Sequence, residues 1–294
     1  MKKFIQTKCP LYALCIVYAV TLLPGCDMQS YESPAGYDLA RPQKFEMGKV
    51  LNEISGISYN TNDSSLLAIS DSEKKVFEIS LARKRLRDYT GEIIPGKQDL
   101  EGIVNLEHTL YLLSSKGLLY EVPLNDSDSL NVVEHPFWSS DKNDFETLYY
   151  DKEANGLIML CKSCAGDKGQ QQRSAYRFDL ETKQFDTTAF YVIKTGDVKS
   201  LIKDEDAKFD PSDADLHPIN KKLYILSSAG NLLVIADPKG KPLEAFHLNP
   251  DEHPQAEGIA FAPDGDMYIT NEGKYGTATL QIFPFLDKKN KQQK

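Results

Sequence analysis

Residues 99–124 read "DLEGIVNLEHTLYLLSSKGLLYEVPL". They hold three short apolar runs, "DLEGIVN", "TLYLLSS" and "GLLYEVPL", separated by polar residues and glycine. Short alternating runs bounded by turn-forming residues read as β-strands.

Working outward, the first run recurs as "EISGISY" (53–59), "DFETLYY" (144–150), "SDADLHP" (212–218) and "QAEGIAF" (255–261). Ile57, Ile103, Leu148, Leu216 and Ile259 align, at separations of 46, 45, 68 and 43. The second run recurs as "SLLAISD", "GLIMLCKS", "KLYILSS" and "DMYITNE", and the third as "KVFEISL", "SAYRFDL", "NLLVIAD" and "TLQIFPF". A weaker fourth run follows the third in the first four units, as in "LRDYTGEI" and "FDTTAFYVI". Repetition of a four-strand cassette at this period points to an all-β fold, a β-propeller. The fifth unit lacks its fourth strand, and "KFEMGKV" (44–50) stands alone before the first unit and can supply it. Such closure ties the chain ends together and removes the open edge of the ring. Five four-stranded blades over 43–286 are expected. Six are the alternative if the interval of 68 hides a degenerate unit. That interval contains "TGDVKSLIKDEDAKFDP" (195–211), a polar, partly helical insertion.

The N-terminus reads differently. Lys2, Lys3 and Lys8 precede an apolar run from Leu11 to Leu23 that ends in "LLPGC". The run is too short for a comfortable membrane span and resembles a bacterial lipoprotein signal, with cleavage after Gly25 and lipid on Cys26. A plain signal peptide or an uncleaved anchor are the alternatives. Residues 26–42 suit a flexible tether, and 287–294 form a charged tail. The expected location is therefore the bacterial cell envelope, lipid-anchored to a membrane, facing the periplasm or the surface.

The net charge is −9, and it moves to −12 once residues 1–25, with three lysines and no acids, are removed. Such a balance disfavours nucleic acid and anionic membrane faces as partners. It suits a cationic ligand, a bound metal, or solubility alone, and a monomer with an unidentified protein or small-molecule ligand. After processing, the cysteines that remain are Cys26, Cys161 and Cys164, the last two as "CKSC". Outside the cytoplasm a local disulfide is the first expectation, two free thiols the second.

In a propeller the first strand of each blade lines the central channel, and its start lies beside the end of the second. One rim should therefore gather Glu53, Asp99, Glu101, Asp144, Glu146, Asp213, Asp215 and Glu257 with Asp71, Asn271 and Glu272. Glu101, Glu146 and Glu257 share a register, at which blades one and four have Ser55 and Ala214. Converging carboxylates need neutralising. A hard cation, Ca2+ or Mg2+, held by Glu101, Glu146, Glu257 and Glu272 is one solution. Bonding between blades is a second, and solvation a third. Asp99, Asp144, Asp215, Asn271, Asp71 and His217 are further binding candidates, with His217 expected to pack or hydrogen-bond rather than act as a base. His253 is expected in a solvent-exposed loop, and Trp138 and Tyr149 in packing. Gly56, Gly102 and Gly258 suit a crowded inner strand. No nucleophile elbow, zincin or phosphate-loop motif is present.

"EISGISYN", "DLEGIV", "HPINKKLYILSSAGNLLVIAD" and "QAEGIAFAPDGDMYITNEG" together resemble the SdiA-regulated (YjiK-like) β-propeller family of bacterial envelope proteins. The resemblance covers roughly residues 48–285. Related propellers include phytase-like and gluconolactonase-type enzymes, in which channel acids bind a divalent ion. It thereby marks Glu101, Glu146 and Glu257 as channel acids, with Asn271 and Glu272 at the neighbouring turn. The chain departs from the pattern at "SDADLHP", where Asp215 holds the glycine slot, and at "DFETLYY", where Thr147 does. The expected function is a membrane-tethered binding module. The alternative is a metal-dependent hydrolase of an ester, lactone or phosphoester.

Overall fold

The computed structural model describes residues 31–93, 99–124, 131–274 and 276–286. The expected signal segment, Cys26, the start of the tether and the charged tail lie outside the described residues.

The chain opens with β1 (Gln43–Glu46). Blade one follows as β2 (Ile54–Asn60), β3 (Ser65–Ser70), β4 (Phe77–Ser80) and β5 (Arg85–Asp88). Blade two is β6 (Leu100–Leu106), β7 (Thr109–Ser114), β8 (Leu118–Pro123) and β9 (Val133–Pro136). In blade three, β10 (Asn143–Asp151), β11 (Gly156–Cys164) and β12 (Gln172–Asp179) are followed by two short outer strands. These are β13 (Gln184–Phe185) and β14 (Tyr191–Lys194), and both pair with β12. The helix α1 (Thr195–Ile202) comes next and packs on blade four, which is β15 (Asp213–Leu216), β16 (Leu223–Ser227), β17 (Leu232–Ala236) and β18 (Pro242–His247). Blade five is β19 (Ala256–Phe261), β20 (Met267–Asn271) and β21 (Thr279–Phe283), with β1 as its outer strand. Phe45 pairs with Leu280 across that closure. The inner strands β2, β6, β10, β15 and β19 touch in ring order, and β19 returns to β2.

The architecture is thus a five-bladed β-propeller with antiparallel blades. The long interval holds α1 and the divided outer edge of blade three, not a sixth blade.

Apolar runs replace clean alternation in the second strands because those strands are covered on both faces. The hydrophobic core is five wedges, each between two neighbouring blades. Ile57, Leu66 and Ala68 meet Ala260 and Tyr268 across the seam that closes the ring. Crowding at the centre explains Gly102: a Cβ there would lie 2.6 Å from the Cβ of Leu148.

Three expectations need correction here. Residues 34–42 are not a tether. Tyr37 and Leu39 are buried between blades four and five, and the Leu286 amide donates to the Gly36 carbonyl at 2.7 Å. Two apolar anchors in a polar segment suffice to strap it down. Trp138 leaves 51% of its surface outside. It follows the outermost strand of blade two, and its packing is limited to ring contacts with Phe137 and Tyr176. His253 is buried at 2% exposure, its ring stacked on Phe283, because its amide turns back onto the Asn249 carbonyl. Tyr149 packs as expected and shares a 2.9 Å hydrogen bond with Tyr191.

No described helix is long and apolar enough to cross a membrane.

Candidate functional site

The mouth of the channel is built by β-bulges. In β2 the pairing skips Ser55, in β6 Glu101, in β10 Glu146 and in β19 Glu257. A bulge leaves its extra residue unpaired and re-aims the side chain. In blade four, Ser212 takes the equivalent place, directly before the Asp213–Leu226 pair. Its hydroxyl confirms the register. Ser212 donates to the Ala256 carbonyl at 2.8 Å, just as Ser55 donates to the Leu100 carbonyl at 2.6 Å. Each acceptor immediately precedes the next blade's bulge.

The five equivalent positions are therefore Ser55, Glu101, Glu146, Ser212 and Glu257, the four outside blade four being bulges. Blade four was expected to place Ala214 in this register and Asp215 in the glycine slot, but the glycine slot holds Asp213. A slip of two residues leaves every side chain on its expected face, so alternation does not reveal it.

Both serines staple their blade to the next. Among the three glutamates, Glu257 hydrogen-bonds Ser228 of blade four and Gln255 just before its own strand, whereas Glu146 bonds Lys162 of its own blade. The carboxyls of the three glutamates, with those of Asp71, Asp99, Asp144 and Glu272, raise one another's proton affinity at a single mouth. Burial, then Glu146, Asp99, Asp71 and Glu257, pushes Glu101 up to about 9. Burial raises Glu146 to about 7 against the opposing pull of Lys162, helped by Glu257 and Asp144. Asp71 rises to about 6 through burial and the charges of Glu53, Asp99 and Glu272. Asp144, Glu257 and Glu272 are also raised, in each case first by burial.

The sequence reading missed Lys162. It is skipped in the pairing of β10 with β11, opposite the Glu146 bulge, and its ammonium bonds the Glu146 carboxylate. Cys161 and Cys164 are joined by a disulfide that closes the short loop carrying it. The signal was visible as the lysine inside "CKSC".

Other candidates go elsewhere. Asp215 lies toward the opposite end of the channel, where all five inner strands line a cavity of about 310 Å3 that also includes Tyr149 and Phe261. Its carboxylate accepts from the Leu216 amide (2.8 Å) and from the Phe261 amide of blade five (3.2 Å). Asp213 does the same one step nearer the mouth, taking the Ile259 amide at 2.8 Å. These two acids bond blade four to blade five. His217, just beyond the end of β15, is fully buried. Its Nδ1 accepts from the Ile219 and Asn220 amides, and its Nε2 meets the Tyr37 hydroxyl at 2.8 Å. Burial lowers it to about 4, so it stays neutral.

Asn271 is buried at the mouth end of β20, and its amide nitrogen donates to Thr279 and Gln281. Its Oδ1 and the Oδ1 of Asp71 are buried acceptors without a donor. Buried polar atoms ordinarily have partners. The mouth is thus rich in acceptors and short of donors.

A family profile matches residues 34–274, more than half of the chain, beginning where the strap of Tyr37 and Leu39 begins. The protein belongs to the SdiA-regulated family. No curated protein sequence matches. Among solved structures, this SdiA-regulated propeller is similar to a glutaminyl cyclase from Myxococcus xanthus at 12% identity and a TM-score of 0.53, over 83% of this chain and 96% of that one. It is similar to regucalcin, a calcium-binding protein from Agrobacterium tumefaciens, at 12% identity and 0.52, over 86% and 97%. A luciferin-regenerating enzyme matches at 12% and 0.51, over 84% and 96%. Likeness at such identity establishes the shared propeller fold.

Proposed function

We propose that this SdiA-regulated propeller is a binding protein of the bacterial cell envelope, held to a membrane by lipid on Cys26. In this reading its acidic mouth captures a cationic group. One observation carries it. The bulge residues Glu101, Glu146 and Glu257 converge at one mouth with Asp71, Asp99 and Glu272, and Lys162 forms an ion pair with only one of the three. Asp71 and Asn271 add orphan acceptors beside them.

The chemistry of the site favours an organic ammonium or guanidinium over a divalent metal. Among the described residues no group of three or more His, Cys, Asp or Glu is placed to hold a metal ion. Hard divalent cations need six or more oxygens closed around them. An ammonium needs only a few acceptors, each met by one N–H. A Ca2+ or Mg2+ ion at this mouth would therefore draw most of its oxygens from water. The hydrolase alternative draws no support from the histidines, since His217 is locked at the opposite end and His253 is buried against Phe283.

The test is thermal denaturation of the full-length protein with spermidine, agmatine, CaCl2 or MgCl2. The expected result is a gain in melting temperature with an amine, abolished in Glu101→Gln plus Glu257→Gln. A gain with Ca2+ alone would replace the organic cation by a metal. No gain with any of the four would overturn the reading.

A further inference from the structure

Beside the mouth, across the disulfide loop, lies a larger groove of about 1330 Å3. Asp144 and Ser115 stand at the shared rim, and Ser163 and Cys164 form the ridge. Its walls are blades two and three, the start of α1, and the chain at 207–210. That volume exceeds the range of roughly 300–1,000 Å3 usual for small-molecule sites.

The groove has the opposite character to the mouth. Six cations line it: Lys116, Lys142, Lys168, Arg173, Lys199 and Lys208. The acids on its walls are Asp141, Asp144, Asp167 and Asp210, and two of these are taken. Asp167 is buried and receives the Gln172 side chain and both the amide and the hydroxyl of Ser174. Asp210 pairs with Arg173. Lys116, Lys142, Lys168 and Lys208 form no ion pair among the described residues. A positive patch of this kind stands out on a chain whose net charge is −9.

The unpartnered atoms supply a second, independent observation. The Nε of Arg173 and the Nδ2 of Asn143 are buried and lack an acceptor, and both residues line this groove. The two are donors, whereas at the mouth the orphans of Asp71 and Asn271 are acceptors. Donors flanked by unpaired ammonium groups call for an oxyanion. Apolar residues are few along the walls, chiefly Ala165, Ala207 and Phe209.

We propose that this groove is a second binding site, for a ligand bearing several phosphate or carboxylate groups. Lys116 and Lys208 supply charge from opposite walls, and Arg173 and Asn143 donate hydrogen bonds at the floor. The site uses none of the bulge glutamates, so it stands or falls apart from the cation reading.

Titration calorimetry of the full-length protein with inorganic tripolyphosphate and with citrate tests it. At least one probe should bind with one-to-one stoichiometry, and Lys116→Glu plus Lys208→Glu should weaken that binding at least tenfold. Both lysines are exposed, so the fold tolerates the change, and an unaltered melting temperature checks this. Glu101→Gln should leave anion binding unchanged. Binding of tripolyphosphate alone assigns phosphate chemistry, and binding of citrate alone assigns carboxylate. Two outcomes overturn the site: neither probe binds, or the charge reversal leaves the affinity as it was.

Discussion

Lys162 closes its ammonium on the Glu146 carboxylate from the facing strand, and no described cation does the same for Glu101. The consequence is a proton. With its affinity pushed up to about 9 by burial and four neighbouring acids, Glu101 holds a proton at neutral pH while no cation occupies the mouth, and a bound ammonium would displace it. The sign of the linkage follows. Between about 4.5, its ordinary value, and about 9 the folded chain holds a proton that the unfolded chain has released, so stability falls as pH rises through that window. Glu101→Gln removes the cost of keeping the group neutral. The variant should be more stable by about 1–3 kcal/mol at pH 8 and nearly unchanged at pH 4, where both states are protonated. Denaturant melts at the two pH values check this. A variant destabilised equally at both would show that Glu101 serves packing instead.

Lys162 competes with any cationic ligand for Glu146. Lys162→Met should therefore tighten amine binding, by about tenfold if one charge-assisted contact is freed. It should also destabilise the apo protein at alkaline pH, where Glu146 loses its partner while still largely buried. Titration calorimetry with spermidine reads the first effect and a melt at pH 9 the second. Reduction of the Cys161–Cys164 bond should move amine affinity in the same direction as Lys162→Met. The loop it closes is too short for much effect on the unfolded chain, so global stability should change little.

Ser55 and Ser212 make the same bond at two separate seams, blade one to two and blade four to five. Each alanine substitution leaves a buried backbone carbonyl with one bond fewer, at a cost of about 1 kcal/mol. The seams share no partner, so the double variant should lose the sum of the singles. Chemical denaturation of the three variants measures it. Strong non-additivity would mean that the ring transmits strain between seams.

The blade count was legible because the cassette repeats with its turns, and closure by β1 was legible because one strand was missing and one was spare. Propeller packing buries both faces of the second strands, so "SLLAIS" and "TLYLLS" announced themselves by hydrophobicity alone. The mouth was half legible. Glu101, Glu146 and Glu257 share a register in sequence, but that each is a bulge residue depends on pairing with the neighbouring strand. Blade four hid its register because a slip by two conserves facing. Tyr37 looked like tether because its partners, His217 and Gly265, lie far along the chain.

Those partners set the pH behaviour on the acid side. With two amides donating to its Nδ1, His217 carries its proton on Nε2 and gives it to the Tyr37 oxygen, and Tyr37 in turn donates to the Gly265 carbonyl at 2.6 Å. Each position in this relay has one assignment, since Nδ1 has no room for a proton between two donors. His217 and His253 are both lowered to about 4, first by burial. The unfolded chain takes up protons on them from about pH 6.5 downward, where the folded chain does not, so stability falls as pH drops from about 6.5 to about 4. This slope is opposite to that of Glu101, Glu146 and Asp71 over the same range, so the two histidines offset part of the acids' contribution there. Tyr37→Phe breaks the relay at its centre, leaving the Nε2 proton and the Gly265 carbonyl unpaired, and should cost about 1–3 kcal/mol. Imidazole proton resonances followed by NMR should show both histidines failing to titrate above pH 5 in the native chain. A midpoint near 6.5 for His217 in Tyr37→Phe would mean that the strap opens without its hydroxyl, whereas a midpoint near 6.5 in the native chain would refute the buried relay.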